Sequence, residues 1–408
     1  MGIAYFRIWF PDHRFAERTH RKQFNVSGLL KPFERLVQEV LFPALELAVG
    51  PLPEKHRQLV RILSLVRVET LVSPRVGGVG RPARYRQAMA RAFVAKAVLN
   101  LGTTRQLLDW LGGDDVLRRL CGWESAGEVP HESQFSRAFA EFASTELPQR
   151  LHASLVEATQ KQRLIGHISR DATEIEAREK PAPVAVETKP ARPKRKRGRR
   201  KKSEPAPASA PTRIERQGTM TLEEMLRELP RACQVGTKKN SKGYKESWTG
   251  YKLHIDAADG QIPISCILTS ASLHDSQVAI PLATMTARRV TNLYDLMDSA
   301  YDAAAIRTHA RSLGHIPIID AQPRGTAEQA AALAGEKKRR SRLGLSTAED
   351  LRYQERTTVE RINARLKDEF GGRTVRVRGH AKVMCHLMFG ILALAADQIL
   401  RLIPPLAC

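Results

Sequence analysis

The chain has 408 residues and a mass of 45.6 kDa, which is more than one small domain holds and predicts two or three domains. Its composition is globular, but 66 Lys and Arg against 43 Asp and Glu leave a net charge of +23. Such an excess repels itself and is typical of a protein whose partner is a polyanion, either nucleic acid or an anionic membrane surface.

Several features argue against the membrane and against secretion. The first residues, MGIAYFRIWFPDHRF, lack the basic and apolar regions of a secretory signal. The longest uncharged apolar run covers residues 383–396, whereas a spanning helix needs about 20 residues, so the run predicts a buried helix. The five cysteines are far apart, which favours neither a disulfide framework nor a structural zinc site. We therefore expect a soluble, cytoplasmic protein that binds nucleic acid.

Residues 1–160 are predicted to be mainly helical. Apolar residues recur at helical spacing as far as Leu101, and short helices joined by glycine-containing turns follow. In the last predicted helix Phe135, Phe139 and Phe142 share one face, which leaves Arg137 facing outward. This pattern fits a helix-turn-helix that binds DNA, with Arg137 as a contact, and it fits an ordinary helical bundle equally well.

From residue 163 onward the periodicity becomes that of strands. Alternating segments surround an Asp259-Gly260 hairpin turn, and strands then alternate with helices. The predicted elements are strands at 164–171, 251–255 and 262–268, a helix at 277–289, a strand at 290–297, a helix at 303–313, a strand at 316–319 and two later helices. This order predicts an α/β fold with a mixed sheet covered by helices.

Residues 180–213 differ from the rest of this region. They are rich in Pro and Ala, and nine of the eleven residues at 192–202 are Lys or Arg. Without apolar periodicity the segment is predicted to be disordered. Its charges would bind DNA phosphates without reading sequence; insertion of its Arg-Gly-Arg centre into a narrow minor groove and a solvated linker are the alternatives. The candidate DNA contacts here are Arg195, Lys196, Arg197, Arg199 and Arg200.

The segment 353–367 carries the most informative pattern. On a helix of about 3.6 residues per turn, Tyr353, Arg356, Glu360 and Lys367 project within about 60° of one another. A carboxylate flanked by two cations and a phenol fits a metal ligand beside groups that hold phosphate. A solvated helix face with Arg/Glu pairs fits the same spacing. An apolar stripe about a quarter-turn away is formed by Val359, Ile362, Leu366 and Phe370.

The spacing Y-x2-R-x3-E-x6-K resembles the signature around the final glutamate of the DDE transposases of bacterial insertion sequences. Other segments agree with this resemblance. Asp171-Ala172-Thr173 is similar to the family's first catalytic aspartate, and the string D-S-A-Y-D that begins at Asp298 is similar to its second. The segments 250–254 and 273–276 resemble its hairpin and the following turn, and residues 80–137 resemble its preceding helical domain. The resemblance covers about residues 80–400.

The resemblance implies an RNase H-like catalytic domain at 163–404, preceded by an all-α domain that binds DNA ends at 1–160. Asp171, Asp298 and Glu360 would be catalytic and would hold two Mg²⁺ ions, with Mn²⁺ as a substitute, because two-metal phosphodiester chemistry needs carboxylate oxygens. Tyr353 and the cations Arg356 and Lys367 would hold the DNA backbone.

The implied activity is nicking of DNA at the terminal inverted repeats of an element, followed by transfer of the 3′-hydroxyl into target DNA. A homodimer would pair two ends in a synaptic complex, in the bacterial cytoplasm and associated with the nucleoid. Two other functions stay open: an inactive DNA-binding transposase remnant, and a structure-selective nuclease of the same fold. Only 62 positions separate Asp298 from Glu360, which leaves no room for the β-rich insertion of some family members.

Several residues compete for these roles. Asp295 points to the opposite face from Asp298 on an alternating strand, and only Asp298 opens the D-S-A-Y-D string. Asp275 is interpreted as a helix N-cap, with a role beside the metal ligands as the alternative, and Asp302 is interpreted as a cap in the same way. His254 is expected to be a strand-face residue. The basic cluster 337–342 is expected to contact DNA, or to be a solvated loop.

Overall fold

The computed structural model describes residues 40–72, 85–183, 211–239, 243–320, 327–345 and 347–402. The basic run at 192–202 lies outside these residues, and so do the candidate DNA contacts predicted within it.

The N-terminal part of the described chain is helical, as the sequence predicts. Its helices are α1 (Phe42–Val49), α2 (Glu54–Val66), α3 (Arg86–Val98), α4 (Thr104–Gly113), α5 (Asp115–Cys121), α6 (Glu132–Ser144) and α7 (Leu147–Gln160). A capping box formed by Thr103 starts α4. The predicted aromatic face of α6 is confirmed, because Phe135, Phe139 and Phe142 are buried and all three rings contact Phe93 of α3.

The strands of the described chain form one mixed, six-stranded sheet. They are β1 (Leu164–Glu176), β2 (Gln234–Lys239), β3 (Lys245–Ala258), β4 (Ile262–Ser270), β5 (Thr291–Met297) and β6 (Ile316–Ile319). The order is β2-β3-β1-β5-β6, and β4 pairs with the C-terminal half of β3. β1 is antiparallel to β3 and parallel to β5, and β5 is parallel to β6. The predicted α/β fold with a mixed sheet is confirmed.

The helices of this part of the described chain are α8 (Arg213–Gln217), α9 (Leu222–Glu228), α10 (Ser276–Ala287), α11 (Ala304–Ser312), α12 (Ala327–Arg342), α13 (Ala348–Tyr353), α14 (Thr357–Glu369) and α15 (His380–Arg401). Of these, α10 and α14 pack directly against the central strands. Asp256 of β3 accepts a hydrogen bond from Thr286 of α10, and Asp171 of β1 accepts one from Asn363 of α14. Because Asp256 pairs with Arg170, the neighbour of Asp171, α10 and α14 lie on opposite faces.

Helix α15 joins the N-terminal helices to the sheet. It packs against α2, α3, α6 and α7 on one side and against β4 on the other. The Phe389 ring contacts the rings of Phe93, Phe139 and Phe142. The helix is long and apolar enough to cross a membrane, but 89% of its apolar window is buried inside the protein, which confirms the predicted buried helix. The two parts of the chain therefore share one apolar core, and the boundary near residue 160 stays a prediction.

Two local predictions were wrong. β1 does not end at Asp171 but continues to Glu176, because β3 keeps pairing with it as far as Glu176 opposite Gly250. The signature segment is not one regular helix: a 3₁₀ turn at Gln354–Arg356 separates α13 from α14. Glu355 in this turn accepts a hydrogen bond at its carbonyl oxygen from the Ser169 hydroxyl, at 3.1 Å, which fixes the turn against β1.

The basic cluster before the signature segment lies on a helix, α12, and not in a loop. Its described side chains are solvent-exposed, and Arg340 forms an ion pair with Glu336 one turn earlier, at 3.5 Å. The cluster is therefore available to an anionic partner as a helical surface.

Candidate active site

The site begins where parallel pairing between β1 and β5 stops. The last paired residues are Arg170 of β1 and Met297 of β5, and the next residue on each strand is an aspartate, Asp171 and Asp298. Neighbouring strands lie about 4.8 Å apart, and residues in register share a face. The two carboxylates therefore lie side by side at the carboxyl end of β5.

Asp298 is fixed by the turn that follows it. Its Oδ1 accepts a hydrogen bond from the backbone N–H of Ala300 at 2.9 Å and so caps the 3₁₀ turn Ser299–Tyr301. The rival Asp295 lies on the other face of β5, where it is buried and accepts hydrogen bonds from Asn292 at 3.0 Å and His315 at 3.2 Å. The alternation of the strand thus separates the two aspartates as the sequence predicts.

Both carboxylates of the pair are poorly solvated. Burial raises the pKa of Asp171 to about 7, and the negative charges of Asp298 and Asp275 add to this effect, while the backbone N–H of Ala172 and the charge of Arg356 oppose it. Burial also raises the pKa of Asp298. Two poorly solvated carboxylates that lie side by side keep both charges only when a cation compensates them, and otherwise one of them retains a proton.

Asp275 is a third carboxylate near this pair, and its predicted role as a helix cap was wrong. It occupies the position before α10 but forms no side-chain cap; its Oδ1 accepts a hydrogen bond from Lys252 Nζ at 2.9 Å instead. The ring of His274 takes the capping position, since its Nδ1 accepts from the backbone N–H of Ser276 at 3.4 Å. Asp275 is paired with Lys252, and its negative charge still acts on Asp171.

The donor chemistry of the aspartate pair fits a hard divalent cation, which prefers carboxylate oxygens. In the described residues, however, no group of three or more His, Cys, Asp or Glu side chains converges closely enough to hold a metal ion. Glu360 is the member that stays apart: its carboxylate is bound to Arg356, with Nη2 to Oε1 at 2.6 Å, and its side chain is 48% exposed.

Arg356 links Glu360 to the aspartates. Burial alone would lower its pKa, but the charges of Tyr353, Glu360, Asp171 and Asp298 together raise it. The guanidinium also lies 5.9 Å from the centre of the Tyr353 ring. Tyr353 and Arg356 therefore act on the aspartate pair, and Glu360 is connected to it only through the Arg356 guanidinium.

The fourth signature residue, Lys367, is held elsewhere. Its Nζ donates to Glu174 of β1 at 2.9 Å, and Lys238 of β2 lies 3.1 Å from the other oxygen of the same carboxylate. These two cations outweigh the effect of burial and lower the pKa of Glu174 to about 2. Lys367 thus fastens α14 to the sheet beside the site, and a DNA contact would have to compete with this ion pair.

α14 is positioned by the apolar stripe that the sequence predicts. All four of its residues are at least 98% buried: Val359, Ile362, Leu366 and Phe370. Next to the stripe, Asn363 Nδ2 donates to Asp171 Oδ2 at 3.4 Å. Sequence reasoning did not select Asn363, although it lies three positions after Glu360 and therefore on the same side of the helix.

The remaining candidates have structural partners. Asp302 does not cap α11, which begins after Ala303, but accepts hydrogen bonds from Arg307 at 3.0 and 3.2 Å. His254 is buried on the strand face as predicted, 2.9 Å from the Thr269 hydroxyl, and burial lowers its pKa to about 4. Arg137 is exposed on α6.

Two family models match this chain. The model described as a transposase DDE domain matches residues 165–396, more than half of the chain, and the model described as a transposase domain (DUF772) matches residues 50–141. No curated protein and no solved structure matches it. The first match contains the sheet except for Leu164, together with the aspartate pair and the signature segment, and the second contains most of the N-terminal helices. The chain belongs to the transposases with a DDE domain.

Proposed function

We propose that this transposase nicks DNA at the ends of a mobile element and joins the freed 3′-hydroxyl to target DNA. The observation that supports this most directly is the pair Asp171 and Asp298, adjacent on parallel strands and with raised pKa values. A protein without metal chemistry gains nothing from two half-buried carboxylates with raised pKa values, which cost stability at neutral pH.

In this proposal Asp171, Asp298 and Glu360 hold two divalent cations, Mg²⁺ or Mn²⁺. Bound cations would activate the attacking oxygen and stabilise the leaving oxygen of the phosphodiester. Asp171 is the first candidate ligand, because the charges of Asp298, Asp275 and Arg356 all act on it. Glu360 can reach the pair only after it leaves Arg356, and its exposure leaves the side chain room to turn.

Arg356 then has a second task. Once Glu360 has left, its guanidinium can donate to a phosphate oxygen of the DNA, the bidentate acceptor for which arginine is best suited. Tyr353, whose ring lies beside it, would orient it. Lys367 would contribute positive charge near the backbone without leaving Glu174.

DNA is the proposed partner over a wider surface. The net charge of +23 includes the run at 192–202, the exposed helix α12 and the exposed Arg137 of α6. We assign residues 1–160 to recognition of the terminal repeats and propose that a homodimer pairs two ends in the bacterial cytoplasm. Phosphate contacts of this kind supply affinity and a steep dependence on salt, and they do not read sequence.

The test uses the full chain, Mg²⁺ and labelled DNA that carries one element end. We expect nicked ends and joined products from the wild type, and neither from Asp171→Asn, which should still bind the DNA. Asp295→Asn is the matched control, because it changes an aspartate on the opposite face of the neighbouring strand and should keep both reactions. Cutting of branched DNA without any joining would favour a nuclease, and binding without cutting would favour an inactive remnant; either result contradicts the proposal.

A further inference from the structure

The hydroxyl group of Tyr301 is buried and has no hydrogen-bond partner among the described residues. The side chain is 1% exposed, and its oxygen is one of the buried polar atoms left unsatisfied. A buried hydroxyl without a partner costs stability, so such groups are rare and call for an explanation. Tyr301 lies at the end of the 3₁₀ turn that Asp298 caps, three residues after that aspartate.

The ring and the hydroxyl of Tyr301 have different surroundings. The ring belongs to an apolar cluster with Ala279 and Ile280 of α10 and Met297 of β5. Burial and the negative charges of Asp275, Asp171 and Asp298 raise the pKa of the hydroxyl well above the usual value, and the positive charge of Arg170 opposes them. The phenol therefore stays protonated and can act as a donor toward the carboxylate site.

We propose that Tyr301 is an active-site residue whose hydroxyl donates a hydrogen bond to an oxygen atom of the group that the aspartates hold. That oxygen belongs either to a water that accompanies the divalent cation or to a phosphate of the DNA. This inference rests on the proposed function, because it needs a ligand at Asp171 and Asp298.

A packing role alone does not account for the oxygen. The apolar cluster around the ring would accommodate phenylalanine with the same shape, and removal of an unsatisfied buried hydroxyl is neutral or stabilising. Tyr251 is the matched case: it is also 1% exposed, but its hydroxyl donates to Glu179 Oε1 at 2.6 Å. The two tyrosines thus differ in whether the folded chain itself uses the hydroxyl.

The experiment compares Tyr301→Phe, Tyr251→Phe, Asp171→Asn and the wild type in three measurements on the full chain. These are the thermal midpoint in EDTA, the dissociation constant for Mn²⁺ without DNA, and kcat and KM for nicking. For Y301F we expect the midpoint of thermal unfolding to be unchanged or higher. In addition we expect either Mn²⁺ binding that is at least about threefold weaker, or a kcat that is at least about tenfold lower at unchanged KM. For Y251F we expect the reverse, a lower midpoint with binding and kcat preserved.

The outcomes distinguish a water oxygen from a phosphate oxygen, and they distinguish the role of Tyr301 from the proposed function. Weaker Mn²⁺ binding assigns the bond to a water beside the cation, whereas a loss of kcat alone assigns it to a phosphate oxygen. If Y301F keeps both values within twofold while D171N loses both, the role of Tyr301 is refuted and the proposed function stands. If D171N also keeps both, the proposed function fails and this inference fails with it. A lower midpoint for Y301F with both values kept would show a structural hydroxyl and would also refute it.

Discussion

Asp171 is expected to make the metal-free protein less stable at neutral pH than at acid pH. In the unfolded chain its carboxyl loses the proton near the usual pKa of 3.8, whereas the folded chain retains it up to a pKa of about 7. Between these values the unfolded state binds fewer protons, so the free energy of unfolding falls as pH rises and stays low above the window. The difference corresponds to at most about 4 kcal/mol, and partial hydration of the carboxyl reduces it to about 1–3 kcal/mol.

Asp171→Asn removes the charge and keeps the shape. In EDTA at pH 8 we expect it to raise the free energy of unfolding by about 1–3 kcal/mol, and at pH 4 to leave it nearly unchanged. Urea denaturation followed by circular dichroism at both pH values measures this. Mg²⁺ should reduce this difference in the free energy of unfolding, because a cation that binds only the folded wild type stabilises the wild type.

Asp295→Asn is the control with the opposite sign. Burial raises the pKa of Asp295, but the hydrogen bond from His315 and the charge of Arg170 outweigh it, so the pKa is lowered overall. Loss of this carboxylate should therefore destabilise the protein at pH 8. If Asp171→Asn raises the free energy of unfolding equally at pH 4 and pH 8, or lowers it at pH 8, the reasoning for Asp171 is refuted.

Three further predictions follow from the packing and charges of the described residues. Arg170→Met leaves Asp256 buried without its bidentate partner, which now contacts it twice at 2.7 Å. Urea denaturation should show a free energy of unfolding lower by about 3–5 kcal/mol, and a decrease below about 1 kcal/mol would mean that water reaches the pair. Phe389→Ala should lower the free energy of unfolding by about 3–5 kcal/mol. Because α15 joins both parts of the core, unfolding should stay a single transition, and two separated transitions would argue against a shared core. Arg356→Gln removes a charge that lowers the pKa of Asp171 and Asp298, so nicking should weaken and its pH profile should move to higher pH; an unmoved profile would place Arg356 outside the site.

The sequence predicts the parts of the site that follow from local periodicity. The alternation of β5 separates Asp298 from Asp295, and the apolar stripe of α14 faces the sheet, as the structure has them. Five of the six strands in the described chain were also predicted in order, because each of them has its own alternating or apolar pattern, whereas β2 was not predicted. What alternation cannot give is the register between β1 and β5, which places Asp171 beside Asp298.

The residues that the sequence did not reveal depend on contacts between distant segments. Asp275 precedes a helix and therefore occupies the sequence position of an N-cap, but its carboxylate accepts a hydrogen bond from Lys252 of β3 instead. Tyr301 reads as an ordinary core aromatic, and only its unsatisfied oxygen distinguishes it. The arrangement of α15 between the N-terminal helices and β4 joins residues some 300 positions apart, for which periodicity carries no signal. Charged residues inside buried strands, such as Arg170 and Asp256, were the one available hint of a polar network.

Adjacent residues of β1 lie on opposite faces of the sheet. This arrangement explains why the fold tolerates two neighbouring carboxylates at the site that lack a cation of their own. Arg170 points to the α10 face, where Asp256 binds it at 2.7 Å through both oxygens and Thr286 donates to the same carboxylate. Asp171 points to the α14 face, where Arg356 is the cation that acts on it and is shared with Glu360. Arg170 also contacts Met297 Sδ of β5 at 3.3 Å. The network on this face can therefore hold β1, β3 and β5 in register, and the charges on the other face are left for a cation to neutralise. Loss of Arg170 should therefore impair the site through the register of β1 and β5, whereas loss of Arg356 should impair it through the lost charge and the lost phosphate contact, with the sheet intact.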